Sequence, residues 1–371
     1  MDFLIHRDEL ARALGRAQGV VEKRTTSPIL GCALLQAQGD TLRITATDKT
    51  TTLISDHAAT VRVPGEVAVD AVNFFQVAKV LASDVVTVRL GEAGRLEVSA
   101  GTANYKLTTF PAAEFPVTPP LDQSRALTLE AEGLRATIDR TLFAVAPDDN
   151  RYGLNGAHLE QVSGEGGDLV RFVSTDGNRL CWAQTPFTGE LGIGRKMLLP
   201  RKGLSECRKL LEGVTEPITL AFGERAGLIR WPGLMVHVRL LEADFPDYRQ
   251  VLPGSFKRRA LLEKDVFVNA LKRVAIFATD ASFSVRFQMG GDGLLITARK
   301  LDAGDAKEHC PMDFSGEPIQ MGFNARFLLD VLGAIRGGRV SMELGDTLSP
   351  CIMRDPDADD ALFVVMPVRL D

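Results

Sequence analysis

The sequence predicts an α+β protein of three similar domains, each consisting of two helices packed on antiparallel sheets. Three observations indicate this fold: an internal repeat of roughly 125 residues, six stretches with helical periodicity, and short alternating strands separated by glycine turns. A chain of 371 residues is also too long for one ordinary hydrophobic core, so several domains are expected.

The repeat is clearest in one strand that ends in a Thr-Asp pair. Residues 40–48 read Asp-Thr-Leu-Arg-Ile-Thr-Ala-Thr-Asp, and residues 168–176 read Asp-Leu-Val-Arg-Phe-Val-Ser-Thr-Asp. A weaker third copy covers residues 294–298, and each copy follows a turn that contains glycine. Because the Thr-Asp pair recurs, we interpret it as a structural turn and not as a catalytic pair.

A second repeated landmark sets the domain boundaries. Phe115-Pro116 and Phe245-Pro246 each follow an alternating strand, and residues 363–368 supply the matching strand of the third domain. Residues 116–120 and 253–255 have the Pro, Gly and Ser content of linkers. We therefore predict domains at 1–122, 123–253 and 254–371.

Helical periodicity places two helices in each domain, at 7–16, 71–82, 131–146, 200–211, 263–278 and 324–336. These stretches carry fifteen basic and eight acidic residues, a net charge of +7. Since the whole chain has a net charge of −5, the remainder carries −12. The pattern fits solvated helix faces, and equally well six helices that face one polyanion while the acidic remainder faces solvent.

Several functional classes find no support in the sequence. The start of the chain is too quickly charged for a signal peptide, and no apolar run approaches the roughly 20 residues of a membrane span. Five scattered cysteines without a CxxC pair indicate reduced thiols in a cytoplasmic protein. No nucleophile triad, phosphate-binding glycine loop or metal-ligand spacing is present, so we predict no catalytic residue, metal or cofactor.

Seven short strings along the chain carry a family resemblance. They are Ser27-Pro28-Ile29-Leu30-Gly31, Arg151-Tyr152-Gly153-Leu154-Asn155-Gly156, Thr175-Asp176-Gly177-Asn178-Arg179-Leu180, Pro200-Arg201-Lys202-Gly203, Phe245-Pro246-Asp247-Tyr248-Arg249, Gly322-Phe323-Asn324 and Val365-Met366-Pro367-Val368-Arg369-Leu370. In this order and spacing the chain resembles, from end to end, the bacterial DNA polymerase III beta subunit, the replicative sliding clamp.

The resemblance implies the DNA clamp fold and a ring-shaped homodimer. Two protomers would join head to tail, domain 1 against domain 3, with the helices lining a hole that holds double-stranded DNA. The positions that match DNA contacts in the family are Arg24, Lys79, Arg151, Tyr152, Arg201 and Lys202. The positions that match the subunit interface are Tyr105, Leu107, Ile276 and Phe277.

The resemblance also implies a groove for partner peptides between domains 2 and 3. Its matching positions are Leu154, Thr175, Gly177, Arg179, Leu180, Pro246, Val251, Asn324, Phe327, Leu348, Val364, Met366, Pro367, Val368, Arg369 and Leu370. An apolar slot with a few polar groups suits a short peptide anchored by Leu or Phe. The implied partners are the polymerase alpha subunit, the clamp-loader delta subunit, translesion polymerases, ligase and mismatch-repair proteins.

Two other functions stay open at this point. One is an enzyme, which the motif search does not support. The other is a specialised clamp paralogue or non-DNA scaffold that kept the peptide groove. Its support comes from Val72-Asn73, Asp148 and Gly153, which differ from the residues common in the family.

Overall fold

The computed structural model describes residues 1–22, 26–118, 121, 125–147, 153–191, 197–278, 283–300 and 302–370. Each of the six stretches predicted to be helical contains a helix. The helices are α1 (Arg7–Val20), α2 (Ala71–Val80), α3 (Ala131–Thr141), α4 (Arg201–Leu210), α5 (Lys264–Val274) and α6 (Ala325–Ala334).

Local sequence explains where these helices begin and which face they bury. The Asp70 carboxylate accepts the Asn73 N–H at the start of α2, and Asn324 accepts two N–H groups at the start of α6. Such caps satisfy backbone donors that the first turn leaves unpaired. Helix α1 runs four residues beyond its predicted end, because Ala17 and Val20 extend its buried face.

The strands are short and all pair antiparallel. They are β1 (Asp2–His6), β2 (Cys32–Gln38), β3 (Thr41–Thr47), β4 (Thr51–Ala58), β5 (Thr60–Val63), β6 (Gly65–Asp70), β7 (Val85–Leu90), β8 (Arg95–Ala100), β9 (Ala103–Phe110), β10 (Ala126–Leu129), β11 (Gly156–Gly164), β12 (Gly167–Thr175), β13 (Arg179–Pro186), β14 (Thr188–Gly189), β15 (Leu198–Pro200), β16 (Ile218–Phe222), β17 (Ala226–Trp231), β18 (Leu234–Arg239), β19 (Arg258–Glu263), β20 (Ser284–Gly290), β21 (Gly293–Lys300), β22 (Gly304–Cys310), β23 (Asp313–Ser315), β24 (Ile319–Asn324), β25 (Arg339–Leu344), β26 (Cys351–Arg354) and β27 (Ala361–Val365).

The chain divides into two compact units, which cut across the predicted domains. The first unit comprises Met1–Glu132, Thr188–Arg195 and Lys202–Leu241. Its strands form one sheet in the order β14-β10-β16-β17-β18-β4-β3-β2-β6-β9-β8-β7-β1-β5. Helices α1 and α2 bury Leu10, Leu14 and Phe74 completely. Burial of a side chain of this size contributes about 2–3 kcal/mol.

The second unit comprises Gly133–Phe187, Lys196–Arg201 and Glu242–Asp371. It contains one sheet in the order β15-β11-β12-β13-β27-β26-β25-β19-β23 and another in the order β22-β21-β20-β24. Its main core joins α5 and α6 to both sheets through Phe267, Phe287, Phe323 and Phe363. The predicted central domain therefore contributes strands to a sheet in each unit.

Two strand pairs connect the predicted central domain to its neighbours within these sheets. In the first unit β4 pairs with β18, and in the second unit β13 pairs with β27. Each pair joins a strand of one repeat to the last strand of the next repeat.

The last strand is shorter than predicted. Residues 363–368 were expected to form it, but β27 ends at Val365. Because Pro367 has no N–H to donate, it cannot continue a ladder on both sides. Val368 instead forms an isolated bridge with Gly322 on β24.

No helix in the described ranges combines the length and apolar character that a membrane span requires.

Candidate functional site

The turn between β12 and β13 is built by its own side chains. The Thr175 hydroxyl donates to the Arg179 carbonyl over 2.7 Å and accepts the Gly177 N–H over 3.1 Å. The Asp176 carboxylate accepts the N–H groups of Asn178 and Arg179, each at 3.0 Å. Gly177 has φ of +87°, a left-handed conformation that glycine adopts without steric cost. The predicted groove positions Thr175, Gly177 and Arg179 therefore form one rigid unit.

Arg179 holds several elements of the second unit together. Its side chain is 9% exposed and donates to Asp176, to Asp330 on α6 and to the Phe143 carbonyl, over 3.0, 2.5 and 2.7 Å. The guanidinium also lies 4.5 Å from the centre of the Phe327 ring. Three charge-assisted donations and an aromatic face satisfy most of a guanidinium. Arg179 thus fixes α6, and with it Phe327, relative to the turn.

The C-terminal segment is held by backbone hydrogen bonds and by a missing side chain. The Met366 N–H donates to the Asn178 carbonyl over 2.9 Å, and the Val368 N–H donates to the Gly322 carbonyl over 2.8 Å. A Cβ at Gly322 would lie 2.6 Å from the Val368 oxygen and 2.7 Å from Leu370 Cδ2. Glycine at this position is therefore what allows residues 366–370 to lie on β24.

An apolar cluster covers the opposite face of β13 and β27. Leu180 and Val364 are paired across these strands and are buried with Tyr248. The Tyr248 hydroxyl donates to Glu160 over 2.5 Å and accepts from Arg171 over 3.2 Å. Burial, followed by the contact with Glu160, raises the pKa of Tyr248. This network fixes the turn Tyr248–Val251, whose last residue, Val251, is 46% exposed.

Several predicted groove residues meet at one end of the nine-stranded sheet. Arg179 and Cys351 both pair with Val365 across their strands. This register brings the Gly177 turn, the loop with Leu348 and the end of β27 together at one end of these three neighbouring strands. Leu348 and Met366 are 61% and 38% exposed. An edge with exposed apolar side chains on a hydrogen-bonded frame can receive apolar side chains of a peptide.

The remaining groove positions adjoin the same region of the second unit. The Leu154 carbonyl accepts the Ala146 N–H over 3.0 Å, next to the Phe143 segment that contacts Arg179. Pro246 is exposed and precedes the Tyr248 turn, and Asn324 caps α6. Pro367 is partly buried, and Arg369 is exposed.

The predicted DNA contacts differ in their exposure and in their intramolecular partners. Lys79 is exposed in the last turn of α2, with its ammonium 5.3 Å from the centre of the Phe75 ring. Arg201 is exposed at the first position of α4, and its N–H donates to the Asn155 carbonyl over 3.0 Å. Arg24, Arg151 and Tyr152 lie outside the described residues.

Lys202 already has an intramolecular partner. Its ammonium pairs with the Asp48 carboxylate and also donates to the Val20 carbonyl over 3.2 Å. The Asp48 side chain is 5% exposed. Burial acts to raise the pKa of Asp48, but hydrogen bonds from Lys202, Thr51 and Thr50 outweigh it and lower that pKa. Lys202 therefore stabilises a buried carboxylate, whatever else it binds.

The predicted interface residues lie at two sheet edges. Tyr105 and Leu107 are partly buried on β9, which pairs with β8 along its length and with β6 only through Thr109 and Phe110. Ile276 is 68% exposed in the turn after α5, whereas Phe277 packs against the core. The neighbouring strand β22 is an edge of the four-stranded sheet.

Sequence reasoning missed four residues that build this region. Asp330, Phe143 and Gly322 position Arg179 and the C-terminal segment, and Glu160 positions Tyr248. Two sequence signals were available: Asp330 lies three residues after Phe327 on the same helix, and Gly322 begins the string Gly322-Phe323-Asn324. The other contacts depend on tertiary structure.

Comparison with known proteins shows a match over nearly the whole chain. Three family models of the DNA polymerase III beta subunit match: the N-terminal domain over residues 1–119, the central domain over 128–247 and the C-terminal domain over 249–369.

Individual relatives match equally fully. The chain is 34% identical over 373 residues to the Beta sliding clamp of Caulobacter vibrioides and 32% identical over 375 residues to that of Vibrio cholerae, with 100% of each chain covered. A solved structure of the C. crescentus beta sliding clamp superimposes with a TM-score of 0.93 at 33% identity, again over 100% of both chains.

Proposed function

The chain belongs to the DNA polymerase III beta subunit family, and we propose that it works as a DNA sliding clamp, a processivity factor for the replicative polymerase. The observation that carries the proposal is the match of all three family domains, in order, over residues 1–119, 128–247 and 249–369. Each of these domains contributes two of the six helices, as the three-domain clamp fold requires.

The mechanism we propose is topological. A closed ring around duplex DNA cannot leave sideways, and contacts to phosphates alone carry no sequence information, so the ring can slide. We assign phosphate contact to Lys79, Arg201 and Lys202, which the structure describes as exposed, and also to Arg24, Arg151 and Tyr152. No bond is made or broken, so the protein is non-catalytic, and polymerisation belongs to its partner.

The ring itself would be a head-to-tail homodimer. The unpaired side of β9 carries Tyr105 and Leu107, and β22 is an unpaired edge beside Ile276 in the described part of the chain. Pairing β9 of one copy with β22 of the other would extend a sheet across the boundary and cover two edges. Two identical contacts related by a two-fold axis then close the ring.

Partner proteins would dock at the groove of the second unit. Its frame is the Arg179 turn, and its exposed apolar side chains are Leu348 and Met366, supported by the buried Leu180 and Val364. Its C-terminal wall is held on Gly322. We propose that the polymerase alpha subunit, the clamp-loader delta subunit, translesion polymerases, ligase and mismatch-repair proteins compete for this surface. We place the protein in the cytoplasm, on chromosomal DNA.

The test is a loading assay on nicked circular DNA with the cognate clamp loader and ATP. We expect the labelled protein to stay on the circle during gel filtration and to leave when a restriction enzyme linearises the DNA. Retention that does not depend on circularity would contradict encirclement. A protein that binds the polymerase peptide but is never retained would support the scaffold alternative.

A matched variant tests the groove separately. We expect Met366→Asp to weaken binding of a fluorescein-labelled polymerase alpha-subunit peptide at least tenfold, since a carboxylate replaces an exposed apolar side chain at the docking edge. Val266→Asp is the control, because Val266 is also exposed, at 48%, but lies on α5. Equal losses in the two variants would contradict the groove assignment.

A further inference from the structure

The first unit contains a turn with the same construction as the groove turn. Between β3 and β4, the Thr47 hydroxyl donates to the Thr51 carbonyl over 3.1 Å and accepts the Lys49 N–H over 3.0 Å. The Asp48 carboxylate accepts the N–H groups of Thr50 and Thr51 over 2.8 and 2.6 Å. Every one of these bonds has its counterpart 128 residues later, between Thr175 and Arg179.

The strand that follows is also equivalent. Thr52 pairs with His237 on β18, as Leu180 pairs with Val364 on β27. The Arg239 N–H donates to the Thr50 carbonyl over 2.7 Å, as the Met366 N–H donates to Asn178. His237 and Arg239 therefore occupy the positions that Val364 and Met366 occupy in the peptide groove.

A cavity lies at this second turn. Its volume is about 300 Å³, and its walls include the turn, the end of β18 and the segment after Phe115. Thr118 Oγ1 lies 3.4 Å from Thr52 Oγ1, which ties that segment to β4. Pro116 and Val117 line the cavity, as expected from the recurrence of Phe115-Pro116 at Phe245-Pro246. In both units the turn therefore lies beside the last strand of the next repeat and near a Phe-Pro segment.

The chemistry of the second surface differs from that of the first. Where the groove has Gly177, Val364 and Met366, the cavity has Lys49, His237 and Arg239, and Arg225 joins them. None of the described residues that line it is acidic. Pro116, Val117 and Val238 keep part of the wall apolar. Burial lowers the pKa of His237 and favours its neutral ring, so the cationic side chains of the lining are Lys49, Arg225 and Arg239. They complement carboxylates that flank an apolar side chain.

The backbone of Lys49 supplies a second, independent observation. Lys49 has φ of +72°, whereas the equivalent Gly177 has φ of +87°. A lysine in this left-handed region is strained relative to glycine. The side chain is exposed at the cavity. Residues held in strained conformations concentrate at binding sites, because stability alone would favour glycine there.

We infer that the cavity at the β3–β4 turn is a second peptide-docking site, which binds a short acidic segment of a partner protein with one apolar anchor. The site repeats the geometry of the first groove and reverses its preference from an apolar to an anionic ligand. All residues of this site belong to the first unit, so the inference does not depend on whether the protein encircles DNA.

The test uses the full-length Met366→Asp variant, in which the first groove is blocked. Its probes are two fluorescein-labelled hexapeptides, Glu-Glu-Leu-Phe-Glu-Asp and the version in which lysines replace the four acidic residues. We expect the acidic peptide to bind at least tenfold more tightly than the basic one, with an affinity that falls as salt is raised. Lys49→Glu should weaken the acidic peptide at least tenfold.

Lys49→Gly separates binding from folding. Because glycine relieves the strain, we expect this variant to unfold at the same or a higher temperature while binding the acidic peptide at least threefold more weakly. Equal binding of the two peptides, or unchanged binding by Lys49→Gly, would overturn the inference. So would equally tight binding of the oligonucleotide dT6 through Lys49, since the site would then recognise phosphate. Loss of the loading activity described above would leave this result untouched.

Discussion

The turn at Asp48 and the turn at Asp176 have the same pattern of hydrogen bonds to the backbone, but different side chains connect them to the rest of the protein. In the second unit the free oxygen of Asp176 accepts from Arg179, within the same turn. In the first unit the free oxygen of Asp48 pairs with Lys202, from helix α4. The position of Arg179 is taken by Thr51, whose hydroxyl is buried without a hydrogen-bond partner among the described residues.

This difference separates what the turn needs from what the groove needs. Both turns form with the same Thr and Asp hydrogen bonds, so Arg179 is not required to make the turn. Its contacts with Asp330, Phe143 and Phe327 instead attach a helix to it. The repeat therefore determines the conformation of the turn. The residue that follows it, Arg179 or Thr51, determines whether a helix is attached to the turn.

The largest effect is expected from Arg179→Met. The substitution removes the guanidinium that donates to Asp176, Asp330 and the Phe143 carbonyl, so we expect the second unit to lose about 2–4 kcal/mol of stability. Urea unfolding can be followed in a Trp231→Phe background, where the remaining Trp182 reports on this unit. Peptide affinity should fall at least tenfold. Unchanged stability together with unchanged affinity would contradict the role given to Arg179.

A smaller effect is expected from Lys202→Met in the first unit, about 1–2 kcal/mol, because Asp48 loses a charged donor. The pKa of Asp48 lies below its ordinary 3.8. The stability it contributes is therefore complete above that value and is lost as the pH falls through the lowered pKa.

The measurement for Lys202 is urea unfolding between pH 2 and 6, followed by Trp231 fluorescence in a Trp182→Phe background. The variant should show a shallower acid loss than the protein with Lys202. Arg201→Ala is the control, since Arg201 has no part in the Asp48 pair, and it should weaken DNA retention without this acid effect. If the protein with Lys202 and the Lys202→Met variant lost stability in parallel as the pH fell, the Lys202–Asp48 pair would not be the source of the acid sensitivity.

Gly322→Ala tests the feature that the first unit has no need of, the return of the chain onto β24. Overlap of the new Cβ with Val368 and Leu370 should cost about 1–2 kcal/mol and release the C-terminal segment. We expect the Val368 N–H to exchange with solvent at least tenfold faster. Gly333→Ala on α6 is the control, because a Cβ there meets nothing within 4 Å.

The smallest effect is expected from Thr51→Val. Valine keeps the shape and removes a buried hydroxyl that has no partner, so stability should stay the same or rise by up to about 1 kcal/mol. A clear loss of stability, measured by thermal unfolding of the first unit, would show that the hydroxyl is satisfied in solution. That result would weaken the contrast with Arg179.

Sequence reasoning predicted the features that depend on local pattern. The six helices, the three-domain repeat and the structural nature of the Thr-Asp turn follow from periodicity and repetition, whereas the clamp fold follows from the family resemblance. The Lys202–Asp48 pair joins residues 154 apart in sequence, and no local pattern indicates it. Pro367 was the sequence signal for the end of β27 at Val365. The bridge between Val368 and Gly322 depends on the tertiary structure.

The strand pairs β4–β18 and β13–β27 have a consequence for how the chain can be cut. Each repeat can be outlined in the sequence, yet the central one shares a sheet with its neighbour on either side. Expressed alone, it would present two long strand edges, β13 and β18, for which it has no partner, and such edges aggregate. A protease that nicks the linker after Phe115 should likewise release no fragment under native conditions, because β4 and β18 would still hold the cut pieces together.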